Sequence, residues 1–123
     1  MVRNIVFSWV QLLARGDYSR FANSAESRKD DPWTSERAFE ALKPFVTEYG
    51  APPRTDGDAR GGQWFAVEIG PDRWDIRQIL LDPADNSDWS ITAYVDLSRS
   101  RAEDRAVVIF TGLGPTIDSS PAS

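Results

Sequence analysis

The hydrophobic pattern of this chain changes period once, and the change is abrupt. Up to Tyr49 the apolar residues recur at three- and four-residue steps, and from Trp64 onward they mostly alternate every second residue. These are the repeats of an amphipathic helix and of a half-buried strand. Between them lies APPRTDGDARGG, residues 51–62, rich in proline, glycine and aspartate and without apolar periodicity. Such a segment reads as a surface connection. A chain that is helical first and stranded afterwards is α+β, with its helices on one face of a sheet. Its 123 residues suit a single domain with its own core. The expected organisation is one domain over 1–115, divided into a helical half at 2–50, the connection at 51–62 and a sheet half at 63–112. A flexible tail is expected at 116–123.

In the helical half, Val2, Ile5, Val6, Trp9, Leu12 and Leu13 share one helix face. Gly16 is a natural stop in the left-handed cap position, and Asp17 an N-cap for a short second helix with Tyr18 and Phe21. NSAESRKDDP, residues 23–32, reads as a polar loop. Thr34 or Ser35 caps a third helix whose expected apolar stripe is Phe39, Leu42, Phe45, Val46 and Tyr49. Pro44 is expected to kink or split that helix, because it removes a backbone donor.

The sheet half reads as four strands. QWFAVEI is followed by the turn signal Gly70-Pro71-Asp72. RWDIRQILL is less regular: Trp74 and Ile76 share one parity and Ile79 and Leu81 the other, which calls for a bulge near Gln78 or for cover on both faces. DWSITAYVDL alternates cleanly, with Trp89, Ile91, Ala93, Val95 and Leu97 against Ser90, Thr92, Tyr94 and Asp96. A charged loop at 98–104 precedes RAVVIFT. Sequential strands with short connections favour a four-stranded antiparallel meander, curved over about three helices.

Composition removes several activities. There is no histidine and no cysteine, so neutral-pH imidazole bases, thiol nucleophiles and thiolate metal sites are absent. The net charge of -5 argues against direct nucleic-acid binding through phosphates. The apolar run at 5–13 is short and interrupted by Ser8 and Gln11, so no membrane span is expected, and the chain reads as soluble and cytoplasmic. No catalytic residue, metal ligand or cofactor is expected.

The three aspartates of LDPADNSDWSI, Asp82, Asp85 and Asp88, invite a metal reading. A calcium loop needs a mid-loop glycine and a terminal glutamate, and both are missing. Asp-Pro and Asn-Ser are turn formers, so the stretch reads as a polar bend with Trp89 as its core anchor. GDARGGQ lacks the phosphate-loop order and precedes a strand. Of the five tryptophans, Trp9 and Trp89 are in phase with apolar faces, Trp33 precedes a helix as a staple, and Trp64 is out of phase with Phe65, Val67 and Ile69.

Three stretches together resemble a known module: VRNIVFSWVQLLARGDY, then W-x-I-R-Q-I-L-x-D-P from Trp74, then DWSITAYVDLSRS from Asp88. They are similar to the C-terminal domain of unknown function appended to bacterial DEAD/DEAH-box helicase-like proteins. The resemblance runs from Val2 to about Thr111, and 24–60 is its least distinctive part. The motor's phosphate loop and DEAD or DEAH box are not in this sequence, so helicase activity does not carry over. The chain reads as a stand-alone relative or a fragment of a longer one. The order of elements is also similar to the nuclear transport factor 2-like and SnoaL-like group, which implies a small-molecule pocket between helices and sheet.

The leading expectation is a non-catalytic accessory domain that binds a protein partner or its parent helicase-like chain. Its contact surface is expected on the outer sheet face near Trp64, Arg77 and Tyr94. The rival is a pocket protein whose ligand would meet Trp74, Arg77, Gln78 and Tyr94. Edge strands and the aromatic content also allow a homodimer.

Overall fold

The computed structural model describes residues 2–55, 64–84 and 89–115. Most of the 51–62 connection, residues 85–88 with Asp85 and Asp88, and residues 116–123 lie outside them. The elements run α1 (Val2–Ala14), α2 (Tyr18–Ser24), β1 (Glu26–Ser27), α3 (Ser35–Tyr49), β2 (Phe65–Ile69), β3 (Arg73–Leu80), β4 (Trp89–Asp96), α4 (Leu97–Glu103) and β5 (Val108–Pro115).

The sheet order is β1-β5-β4-β3-β2. β2 to β5 form the expected antiparallel meander. The sheet nonetheless has five strands and is mixed, because Glu26 and Ser27 pair in parallel with Ile109 and Phe110. The polar loop after α2 was therefore only partly a loop. Two local contacts accompany the pairing: the Trp33 N–H donates to Ser27 Oγ at 2.9 Å, and Arg99 pairs with Glu26.

The core lies between α1 to α3 and one face of this sheet. α1 buries Val6, Trp9, Leu12 and Leu13 as its period requires, and Phe7 and Val10 besides. Gly16 takes the positive φ of 75° that lets the chain turn into α2, and Asp17 Oδ1 accepts from the Arg20 N–H at 3.3 Å. α3 buries Ala38, Leu42 and Phe45, while Phe39 and Val46 of its expected stripe are turned outward. Pro44 does not split α3, which continues to Tyr49. Pro44 sits on the exposed side, where water can take the carbonyl it leaves without a donor.

Phe110 of β5 is the hub of the core. It is fully buried and meets Trp9, Phe21 and Trp33 edge-on, with ring centroids 5.6, 4.9 and 4.8 Å away. Trp89 is buried against Phe45 at 5.6 Å. The space between helices and sheet is thus lined by interlocking rings.

β3 has no bulge at Gln78; its register with both neighbours is unbroken. The irregularity sits in β5 instead. Thr92 faces Gly112 whereas Ala93 faces Phe110, so Thr111 is the extra residue. The mixed parity of β3 reflects cover on both faces at its end: Leu80, Leu81 and Ser90, the partner row of Ile79, are all buried. The charged stretch expected as a loop is helix α4, which also takes Leu97 from the end of the expected strand. Asp96 caps it, accepting from the Arg99 N–H at 3.0 Å, and Asp104 closes it in the left-handed region. No described helix is long and apolar enough to cross a membrane.

Candidate interaction surface

The helices cover one face of the sheet, and a groove of 510 Å³ lies on the other. Alternation builds it. Because Ile91, Ala93 and Val95 are buried under the helices, Thr92 and Tyr94 must stand on the outer side. On β3 the buried set is Ile76, Gln78 and Leu80, so Arg73, Asp75 and Arg77 stand outward. β2 contributes Glu68, opposite Asp75, and the bulge brings Thr111 Oγ1 to within 3.1 Å of Thr92 Oγ1, to which it donates.

The groove is polar and aromatic. The Arg73 guanidinium lies 4.6 Å over the Tyr94 ring, and its Nε is 3.1 Å from Asp75. Arg28, at the β1 end, holds Asp30 in a two-pronged contact of 3.1 and 3.0 Å. Among the described residues Arg77 has no ion-pair partner. The lining carries three arginines (Arg28, Arg73, Arg77) against two carboxylates (Glu68, Asp75), a local excess of one positive charge in a chain of net -5.

A second depression of 380 Å³ adjoins it and shares Arg28 and Tyr94. Its floor is fixed by Arg99, which binds Glu26 and also Glu103 at 2.9 Å. Hydrogen bonds to Glu26 first and Glu103 second raise the guanidinium's pKa further. In turn, hydrogen bonds from Arg99 and then Arg105 hold the Glu103 carboxyl below its ordinary value. These pairs are surface-exposed, so they position side chains more than they stabilise the fold.

The residues singled out in the sequence divide between two faces. Arg77 and Tyr94 stand together on the groove side. Trp74 and Gln78 lie on the opposite, helix side: Trp74 shares a row with buried Val95, and Gln78 is itself buried. Gln78 Nε2 donates to the carbonyls of Trp64 and Ile79 at 3.2 and 3.1 Å, tying the start of β2 to β3. Trp64 is half-buried, and its indole N–H is buried without a hydrogen-bond partner among the described residues. Most other groove residues were not singled out in the sequence as contacts, among them Arg28, Glu68, Arg73, Asp75, Thr92 and Thr111. The parity of Tyr94 and Arg77 was enough to find Thr92 and Arg73, whereas Arg28 depended on β1 and Thr111 on the bulge.

Asp82 is fully buried rather than part of an open polar bend. Its Oδ1 accepts from the Ala84 N–H at 2.9 Å, the local turn that Asp-Pro chemistry implies. Among the described residues no group of three or more acidic side chains is placed to hold a metal ion.

A family model described as Domain of unknown function (DUF3516) matches residues 1–113. No curated protein and no solved structure matches the chain.

Proposed function

The chain belongs to the DUF3516 domain family, and on that premise we propose that it is a non-catalytic interaction domain that docks a protein partner in the groove on its outer sheet face. The observation that carries this reading is the groove's lining. Tyrosine and arginine are the residues that most often anchor protein interfaces, and here Tyr94, Arg73, Arg77 and Arg28 surround one open concavity. Thr92 and Thr111 add hydroxyls that can bond a partner's backbone.

The partner that fits the sequence resemblance is the motor region of a bacterial DEAD/DEAH-box helicase-like protein, with this domain as its accessory module. The net charge of -5 directs it to protein rather than to nucleic-acid phosphates. A small-molecule pocket has less support, because Trp74 and Gln78 are on the opposite side of the sheet from Arg77 and Tyr94.

Titration calorimetry tests the proposal with the purified chain and a purified helicase-like motor stripped of its own appended module. Saturable binding is expected, weakened about tenfold or more by Tyr94→Ala, in line with loss of an interface anchor. No heat of binding, or binding indifferent to Tyr94→Ala, overturns it.

A further inference from the structure

β2 is the terminal strand of the described sheet, and no described strand pairs with its outer edge. Natural sheets guard such edges with lysine, proline or a covering loop. The strand FAVEI has neither lysine nor proline, Val67 is 39% exposed and Ile69 is 73% exposed.

The hairpin fixes which backbone groups are free. The Gly70 N–H donates to the Arg73 carbonyl at 3.1 Å, so that pair is a hydrogen-bonded one. Antiparallel pairs alternate between bonded and non-bonded. Hence Glu68–Asp75 and Ala66–Arg77 are bonded pairs, and Ile69–Trp74, Val67–Ile76 and Phe65–Gln78 are not. The N–H and C=O groups of Phe65, Val67 and Ile69 therefore point away from β3, toward the free edge. The same three residues carry the strand's large apolar side chains, all on the helix side.

We infer that this edge pairs with β2 of a second copy, antiparallel about a twofold axis through Val67. That register sets Val67 against Val67 and Phe65 against Ile69, all as bonded pairs, for about six backbone hydrogen bonds. Apolar rows then continue across the junction, with Trp74 and Ile69 of one copy running into Phe65 of the other.

Charge selects the same occupant and register. Glu68 of the second copy falls opposite Ala66, and beyond Ala66 in the same row stands Arg77. Two strand steps separate the Cα atoms by roughly 10 Å, a span that extended Arg and Glu side chains close over an alanine methyl. Neither Arg77 nor Glu68 has an ion-pair partner within its own described chain. The twofold supplies one to each, twice, and places no like charges directly opposite.

Sedimentation velocity of the full chain over a concentration series tests the pairing. The expected result is a reversible species of twice the 13.8 kDa chain mass. Ile69→Lys, at an exposed site, returns the monomer, with the thermal melt of the wild type at concentrations where it is dissociated. Arg77→Glu faces Glu68 of the second copy and weakens association about tenfold. Adding Glu68→Arg to it restores the wild-type constant. The inference is overturned by a wild-type chain that stays monomeric up to millimolar concentration. It is equally overturned by an Ile69→Lys chain that associates as the wild type does, or by a double reversal as weak as Arg77→Glu alone.

Discussion

Phe110→Ala is the most informative perturbation of this fold. The side chain is fully buried and touches three rings, each from a different part of the helical half: Trp9 of α1, Phe21 of α2 and Trp33 ahead of α3. Truncating a buried Phe to Ala costs about 3–5 kcal/mol, of which the cavity is a part. Each edge-on aromatic pair adds about 0.5–1.5 kcal/mol beyond area burial. With three such pairs lost, the cost falls at the top of the range, about 5 kcal/mol. That is between about a third and all of the about 5–15 kcal/mol that holds a domain together. With a urea slope of about 1–3 kcal/mol per molar, the midpoint drops by about 2 M or more. Phe110→Leu keeps most of the volume and loses the ring pairs, so it should cost about 1.5–3 kcal/mol. Equilibrium urea unfolding followed by tryptophan fluorescence reads both variants. If Phe110→Ala costs under about 2 kcal/mol, or Phe110→Leu costs as much as Phe110→Ala, the hub assignment is wrong.

Three further outcomes follow from local contacts. Asp96→Ala removes the cap of α4 and should cost about 1 kcal/mol in thermal or urea unfolding, with Asp96→Asn restoring most of it. Gln78→Leu leaves the Trp64 and Ile79 carbonyls without their side-chain donor and should cost about 1–2 kcal/mol by the same assay, although it adds apolar surface to the core. Burial raises the Tyr18 pKa above its ordinary value of 10.0, so the unfolded chain ionises first. Stability associated with Tyr18 is therefore intact below that value and declines as pH rises through the folded pKa; Tyr18→Phe should remove this part of the alkaline slope in melting temperature.

Much of the fold was legible because its signals are local. Strand β4 announced both of its faces through strict alternation, and with them the outward position of Tyr94. Gly16, Asp17, Thr34 and Gly50 mark helix ends through chemistry that acts within a turn or two. Features that depend on distant partners were not legible. β1 is two residues long in a polar stretch, and only Ile109 and Phe110 make it a strand. Helix α4 buries no residue and so shows no apolar stripe; its cap and the Arg99 and Arg105 pairs with Glu103 mark it instead. The stripe of α3 was right at Leu42 and Phe45 and wrong at its edge, because Ala38 and not the larger Phe39 faces the core and Val46 is exposed. Of the interaction surface, Arg77 and Tyr94 followed from parity, whereas the groove's far wall required the pairing of β1 and the bulge at Thr111.

The two ends of the described sheet differ, and if β2 pairs with a second copy as inferred, that difference sets the size of the assembly. At one end β1 lies over β5 and is too short to template another strand. At the other end no described strand pairs with the outer edge of β2. A molecule with two sticky ends would add copies without limit, as fibres do. A molecule with one can only meet its like head to head, and growth stops at a closed pair. On that inference Glu26 and Ser27 would serve as a chain terminator: deleting or mispairing them would expose β5 and turn a closed pair into an open-ended assembly.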